Sequence, residues 1–299
     1  MKIDPRCFPC ALRRILCTAE RITDDAWLHY KLLGKAMAEL PGMERTMTPA
    51  EMMHSMAELT SKTLGTQDPY QKVRERWYQE LEGWGGKIEA RVADSKEPLK
   101  EALLMAARAN VFDDEMLSRS SLREELGRLG LREPASEKTK SEPEEFAFSD
   151  YDLFIADLEK SRRLLFLHDS GPELPFDRVL IMSLLAHGEN LQVTCVVRQQ
   201  RVLMDATRED LDRFDILDIP GVVGAVDPGI SALGIPISEC SREFREVFDA
   251  SDLILAKGQA HLETLADCGK TAYFLLRAKC VVMAAAQGVE IGNLILTKP

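Results

Sequence analysis

Apolar residues in the first part of the chain recur at the three- and four-residue spacing of amphipathic helices. From residue 26 to about residue 127 this spacing continues without a convincing alternating segment. One helix start is legible in the sequence, because Thr48 can cap a helix that has Pro49 at its first position. The pattern predicts an all-helical domain over residues 1–130.

The second part of the chain alternates short apolar runs with helical patterns. Such alternation is typical of a mostly parallel sheet that carries helices on both faces. It predicts an α/β domain over residues 148–299, so the fold class of the whole chain is α/β with an N-terminal helical domain. The predicted strands are residues 164–167, 192–197, 221–226, 253–256, 271–276 and 293–296.

The segment between these two regions has no apolar periodicity. Residues 132–145 carry many charges and include Pro134 and Pro143. A charged, proline-containing stretch without an apolar face cannot bury enough surface to pack as an element. We therefore predict a linker over residues 131–147.

The composition is that of a globular chain, with 45% hydrophobic and 29% charged residues. Its apolar runs are far too short to span a bilayer, and Asp4 and Arg6 stand where a signal peptide would need an apolar segment. A formal net charge of -11 opposes nonspecific binding to nucleic acid or anionic lipid. We expect a cytoplasmic protein without nucleic-acid or membrane partners. Its oligomeric state is left open by the sequence.

Charged side chains follow four of the predicted strands. Asp169 comes after the first strand, Arg198 and Asp205 after the second, Lys257 after the fourth and Lys279 after the fifth. In an open α/β sheet the ligand crevice lies outside these strand ends. Two carboxylates with nearby lysines suit a divalent cation bound to a phosphate. In the alternative interpretation, Asp205 caps the next helix and the lysines lie on the surface.

A series of motifs stands in a fixed order along nearly the whole chain. It comprises Cys7 with Cys10, Asp68-Pro69-Tyr70, Asn110 with Asp113, Asp169-Ser170-Gly171-Pro172-Glu173 with Phe176-Asp177, Asp205-Ala206-Thr207, Lys257-Gly258-Gln259 and Lys279-Cys280. This order resembles the domain-of-unknown-function 89 family, the ARMT1-like damage-control phosphatases, and within it the prokaryotic subfamily with an N-terminal CxxC. Several motifs in a fixed order are far more specific than any single motif.

The resemblance implies a helical domain packed on an α/β domain, and a metal-dependent phosphatase that acts on a small phosphorylated metabolite. A sugar phosphate or a damaged metabolite is the expected substrate class, and the cofactor is a divalent ion, manganese, cobalt, nickel or magnesium. Carried over to this sequence, Asp169, Ser170 and Asp205 hold the metal, and Asp169, Asp205 and Lys257 are catalytic. The implied substrate-binding residues are Asp68, Asn110, Glu173, Arg198, Lys257, Gly258 and Lys279.

The chain departs from the family pattern at the same strand ends. Ser170 and Met204 stand where the family has asparagine, Pro172 lies within the first loop, and Ala260-His261 replaces Gly-Asn. A hydroxyl is a weaker neutral ligand than an amide oxygen, so we expect weaker metal binding unless other groups compensate.

Three alternatives follow from these departures. His168 and His261 lie beside the changed positions and could favour nickel, cobalt or zinc over magnesium. The chain could instead be a catalytically impaired relative that binds a phosphorylated ligand or a partner protein. An aspartyl-phosphate mechanism with Asp169 as nucleophile is disfavoured, since Gly171 occupies the position where a second aspartate is expected.

The cysteines form a second candidate site. Seven cysteines without a secretory signal indicate free thiols or metal ligands more than a disulfide framework. Cys7 and Cys10 have the CxxC spacing that lets two thiolates share a metal, and Cys280 could supply a third ligand, with Cys17 or solvent as the fourth. A redox role for Cys7 and Cys10, or two ordinary, partly buried thiols, are the other interpretations.

Overall fold

The computed structural model describes residues 1–66, 68–112 and 145–299, together with Gly127. Six described helices precede the sheet. Asp25 caps the second helix by accepting from the backbone N–H groups of Trp27 and Leu28. Thr48 and Glu51 form a reciprocal capping box at the start of the third. These helices are α1 (Cys7–Ile22), α2 (Ala26–Glu39), α3 (Pro49–Leu64), α4 (Gln71–Leu81), α5 (Gly85–Ala93) and α6 (Pro98–Ala109).

A seven-stranded sheet follows, with helices between its strands. Its strands are β1 (Phe146–Ser149), β2 (Arg163–Leu167), β3 (Gln192–Val196), β4 (Val222–Val226), β5 (Leu253–Lys257), β6 (Ala272–Arg277) and β7 (Leu294–Thr297). Its helices are α7 (Tyr151–Leu158), α8 (Leu174–His187), α9 (Arg208–Arg213), α10 (Arg242–Ala250), α11 (Gln259–Leu265) and α12 (Val281–Gln287). The predicted α/β class with an N-terminal helical region is confirmed.

The strands lie in the order β1-β7-β6-β5-β2-β3-β4. All neighbours are parallel except β6 and β7, which are antiparallel. From β2 the chain moves outward to β3 and β4, and from β5 it moves outward in the other direction. The order therefore reverses between β2 and β5, which is where open α/β sheets form a ligand crevice.

Two apolar cores cover the two faces of the sheet. On one face, helices α4–α6 and α8 pack against β2 and β6, with Trp77, Phe112 and Phe176 in aromatic contact. On the other face, Phe244 of α10 packs against residues such as Phe274. Helices α1–α3 form a smaller core of their own. The central strands β2, β5 and β6 are almost entirely buried, which explains their continuous apolar sequences.

The sequence did not reveal strand β1. Its four residues form an edge strand that pairs only with β7, across an irregular register, and most of them are exposed. Its apolar run is only three residues long, Phe146 to Phe148, which is too short to show a periodicity. Most of the proposed 131–147 linker lies outside the described residues, so the division into a helical domain, a linker and an α/β domain stays a prediction. None of the described helices is long and apolar enough to cross a bilayer.

Candidate functional site

The candidate site lies at the carboxyl ends of β2, β3 and β5, where the strand order reverses. The loops after β2 and β3 run antiparallel to each other, because Ser170 and Asp205 form an isolated bridge. The backbone N–H of Ala206 also donates to the carbonyl of Asp169 over 2.8 Å. Asp169, Ser170 and Asp205, the predicted metal ligands, are therefore brought together on two adjoining loops.

Gly258, directly after β5, has no side chain, and the Asp169 carboxylate occupies the space where one would lie. It has a φ of +88°, and an added Cβ would lie 1.9 Å from the Asp169 Oδ2. Real side chains do not approach that closely, and L-residues other than glycine rarely adopt this φ. The neighbouring strand end must therefore be glycine for the Asp169 carboxylate to sit where it does.

Asn110, at the end of α6, ties the helical region to this carboxylate. Its Nδ2 donates to Asp169 Oδ2 over 2.7 Å and to Glu173 Oε1 over 3.0 Å. Its Oδ1 accepts from the backbone N–H of Arg277 over 3.2 Å. Ser170 Oγ donates to the same Glu173 oxygen over 2.8 Å. The side chains of Asn110 and Glu173 are fully buried, and they hold the Asp169 loop from within.

Lys257 is the centre of a buried ionic cluster. Its Nζ donates to Glu173 Oε2 and to Asp177 Oδ1, each over 2.7 Å, and all three side chains are fully buried. Burial by itself lowers the pKa of Lys257, but the charges of Asp177 and Glu173 outweigh it and raise that pKa above its usual value. The lysine is thus an ammonium held from two sides.

Asp177 and His168 complete this cluster. The His168 Nδ1 lies 2.8 Å from Asp177 Oδ2, and it is the donor because a carboxylate only accepts. Burial by itself raises the pKa of Asp177, but the charge of Lys257 and the hydrogen bond from His168 hold it below its usual range. Sequence reasoning missed Asp177 as a site residue, although the Phe176-Asp177 motif signalled it.

Arg198 lies beside Asp205 and is almost fully buried. Its Nε donates to Asp205 Oδ2 over 3.0 Å, and its Nη2 donates to the carbonyls of Ala232 and Gly234 over 2.7 and 2.8 Å. The buried Nη1 has no hydrogen-bond partner among the described residues. The guanidinium is therefore fixed in place while one amino group still lacks an acceptor.

His168 and His261, the two histidines beside the departures from the family pattern, both form hydrogen bonds to protein atoms through Nδ1. His261 donates to the carbonyl of Lys257 over 2.6 Å, whereas His168 binds Asp177. Burial lowers the pKa of His261 to about 4, so its ring is neutral at neutral pH. The buried Nε2 of His168 has no partner among the described residues. Whether either ring binds a metal stays a prediction.

The remaining predicted site residues lie further out. Asp68 pairs with Arg74, whose Nη2 lies 2.5 Å from Asp68 Oδ2, and Arg74 also donates to the carbonyl of Leu203 over 3.5 Å. Asp68 thereby contacts the loop before Asp205 through one intermediate residue. Lys279 lies between β6 and α12. Asp113, which the sequence grouped with Asn110, lies outside the described residues.

The chain ends that carry the cysteines meet. Cys280 caps α12, and its Sγ accepts from the backbone N–H of Met283 over 3.3 Å and from Gln259 Nε2 over 3.5 Å. Burial raises the pKa of the Cys7 thiol, and the proximity of Cys280 adds to that rise. Cys10 is exposed one turn further along α1. A shared metal at Cys7, Cys10 and Cys280 stays a prediction.

Within residues 1–66, 68–112 and 145–299, no group of three or more His, Cys, Asp or Glu side chains is arranged to hold a metal ion. The Asp169 site has two carboxylates and one hydroxyl. A hard cation bound by one or two carboxylates takes its other ligands from water and substrate oxygens. The oxygen donors at the strand ends fit such a cation.

Comparison with known proteins supplies the family. The profile described as "Damage-control phosphatase ARMT1-like domain" matches residues 3–295. The chain belongs to this family. The resemblance inferred from the sequence motifs is confirmed.

Relatives of this ARMT1-like chain match along its whole length. An uncharacterized protein of Methanocaldococcus jannaschii is 27% identical over 305 residues, which cover 100% of this chain and 96% of that protein. A damage-control phosphatase of Archaeoglobus fulgidus is 29% identical, over 99% of this chain and 98% of the relative. A solved DUF89 family structure from Pyrococcus horikoshii superimposes with a TM-score of 0.82 at 25% identity, covering 100% of this chain and 99% of that one.

One departure from the ARMT1-like pattern has a visible structural reason. The Met204 side chain is buried in the core that covers one face of the sheet, and its carbonyl accepts from the backbone N–H of Gly171 over 2.9 Å. An asparagine amide at this place would be surrounded by apolar groups. Met204 thus contributes core packing and a backbone contact, whereas the site depends on Asp205 beside it.

Replacing Gly258 with alanine should distort the site. The new Cβ would collide with the Asp169 carboxylate, so we expect phosphate-ester hydrolysis to fall by more than about 10-fold. Gly269→Ala is the matched control, because Gly269 has a φ of +72° but no atom within 4 Å of an added Cβ. The control should cost only about 1–2 kcal/mol of backbone strain. Equal activity in the two purified variants would contradict the close contact between Gly258 and Asp169.

Proposed function

We propose that this protein is a metal-dependent phosphatase that hydrolyses a small phosphorylated metabolite, such as a sugar phosphate or a damaged metabolite. The observation that carries the proposal is that Asp169 and Asp205 lie on adjoining loops beside the buried Arg198 guanidinium, whose Nη1 has no hydrogen-bond partner among the described residues. Carboxylates attract a divalent cation, and a guanidinium attracts phosphoryl oxygens. That relatives are named damage-control phosphatases supports the same reaction class.

Asp169, Ser170 and Asp205 are the proposed metal ligands. Metal-binding carboxylates are commonly hydrogen-bonded by neighbouring groups, as Asn110 does for Asp169 and Arg198 for Asp205. Oxygen donors suit magnesium, manganese, cobalt or nickel. When bound, the metal polarises the phosphoryl group and lowers the pKa of a coordinated water.

Arg198 is the proposed anchor for the phosphoryl group. Leaving a buried donor unsatisfied costs about 1–3 kcal/mol, so the orphaned Nη1 favours a ligand with an exposed oxygen. Because Asp205 and the carbonyls of Ala232 and Gly234 fix the other nitrogens, little reorganisation is needed for binding. The phosphoryl group would thus lie beside the metal ligands, at Arg198 Nη1.

Lys257 is proposed to stabilise the charge that develops on the phosphoryl group. Two of the three N–H groups of its ammonium go to Glu173 and Asp177, so one remains for a substrate oxygen. A preorganised cation in a site that excludes water stabilises a transition state more than it would in solution. The further substrate contacts proposed from the sequence are Asp68, Asn110, Glu173, Gly258 and Lys279.

Asp169→Asn should abolish metal-dependent hydrolysis. The change keeps the shape of the side chain but removes the only charged ligand on the β2 loop, so we expect phosphate release to fall at least about 100-fold. The rise in melting temperature on adding manganese should disappear as well. The control is Asp157→Asn, since Asp157 lies on α7 and pairs with Lys298. This variant should keep both the metal-dependent hydrolysis and the rise in melting temperature with manganese. Undiminished hydrolysis by the Asp169 variant would remove this residue from the mechanism.

Arg198→Lys should weaken phosphate binding while retaining a positive charge beside Asp205. A lysine cannot reproduce the fixed fork of the guanidinium, and one hydrogen bond to a charged group is worth about 1.5–3 kcal/mol. We therefore expect the KM and the inhibition constant of inorganic phosphate both to rise about 10-fold or more. A manganese titration should show an unchanged midpoint. If neither constant moves, the phosphoryl group is bound elsewhere.

A further inference from the structure

Asp177 is a carboxylate with both oxygens engaged in the interior of the protein. It lies in the first turn of α8 and is fully buried. Its Oδ1 accepts from Lys257 Nζ over 2.7 Å, and its Oδ2 accepts from His168 Nδ1 over 2.8 Å. Its hydrogen bonds therefore join the end of β5 to the end of β2.

Lys257 is connected to the Asp169 loop by two separate routes. One route passes through Glu173, whose other oxygen accepts from Ser170 Oγ over 2.8 Å. The second passes through Asp177 to His168, which directly precedes Asp169 in the chain. Because both routes return to the same loop, they fix the position of the ammonium relative to Asp169 from two sides.

Fold stability alone does not account for this arrangement. Taking charges out of water is costly, and apolar side chains of the same volume often stabilise a fold as well or better. Glu173 alone could pair with the ammonium of Lys257, yet a second carboxylate is buried with it, and a histidine orients that carboxylate. The additional carboxylate and its histidine determine where the ammonium lies.

We infer that Asp177, oriented by His168, is a positioning residue that holds the Lys257 ammonium where it meets the phosphoryl group. The inference rests on the proposed phosphatase function and extends it to two residues that do not touch the substrate. Without Asp177 the ammonium is held only by Glu173 and can move toward it. A displacement of about 1 Å in a catalytic group can cost about 100-fold in rate.

The test is a double-mutant cycle on Asp177 and Lys257. Asp177→Asn preserves side-chain shape, and it should lower kcat about 10- to 100-fold and raise the inhibition constant of inorganic phosphate. The midpoint of the manganese titration should stay within about twofold, since Asp177 accepts hydrogen bonds from Lys257 and His168 and not from the proposed ligands. In the Lys257→Met background, Asp177→Asn should have no further effect on kcat, because residues that act through one another are not additive.

Asp157→Asn is the matched control for this cycle. Asp157 lies on helix α7 and accepts hydrogen bonds from Lys298 Nζ and from the Tyr273 hydroxyl, each over 2.8 Å. Its replacement should leave kcat and the phosphate inhibition constant unchanged. A merely structural Asp177 would lower the melting temperature while kcat per folded molecule and phosphate inhibition stayed at their wild-type values.

The outcomes separate this inference from the proposed function. The inference alone is overturned if the wild-type protein hydrolyses phosphate esters and the Asp177→Asn variant has the same kcat and the same inhibition constant of inorganic phosphate. Multiplicative losses in the double variant also overturn it. If the Lys257→Met protein does not fold, the kcat and the phosphate inhibition constant of the single Asp177→Asn variant decide whether the inference holds. A wild-type protein that releases no phosphate with any divalent metal overturns the proposed function and this inference with it.

Discussion

A buried ammonium between two carboxylates organises the carboxyl edge of the sheet. Lys257 ends β5, while Glu173 and Asp177 belong to the segment that follows β2, so their ion pairs join the two strands between which the strand order reverses. The second oxygens of both carboxylates lead back to the loop that carries Asp169. The position of the loop that carries Asp169 therefore depends on this interaction.

Two groups of charges lie at this edge of the sheet. Those of the Lys257 cluster are paired in the interior, whereas Asp169 and Asp205 lie on the two adjoining loops that follow β2 and β3. Arg198 adds a fixed guanidinium, whose Nη1 has no hydrogen-bond partner among the described residues. In the proposed function the metal and the phosphoryl group lie side by side, bound by groups that other contacts already fix.

Much of the fold and part of the site could be predicted from sequence. The strands that end before Asp169, Arg198 and Gly258 are short, mostly apolar and largely buried runs, and parallel topology alone requires their ends to converge. The edge strand β1 has a shorter apolar run, and most of its residues are exposed. Burial of the Lys257 ammonium and the role of Asp177 depend on which side chains meet across the sheet, and periodicity carries no information on that. The direction of the Arg198 guanidinium likewise depends on the carbonyls of a distant loop.

The measurement that tests the account most directly is phosphate release by the wild-type protein after its metals have been removed. The stripped protein would be supplied with manganese, cobalt, nickel or magnesium and a panel of sugar phosphates and other phosphorylated metabolites. The account predicts no release without metal and saturable release with at least one of these ions. Binding of phosphate esters without release under any metal would contradict it, and would favour a catalytically impaired relative that only binds its phosphorylated ligand.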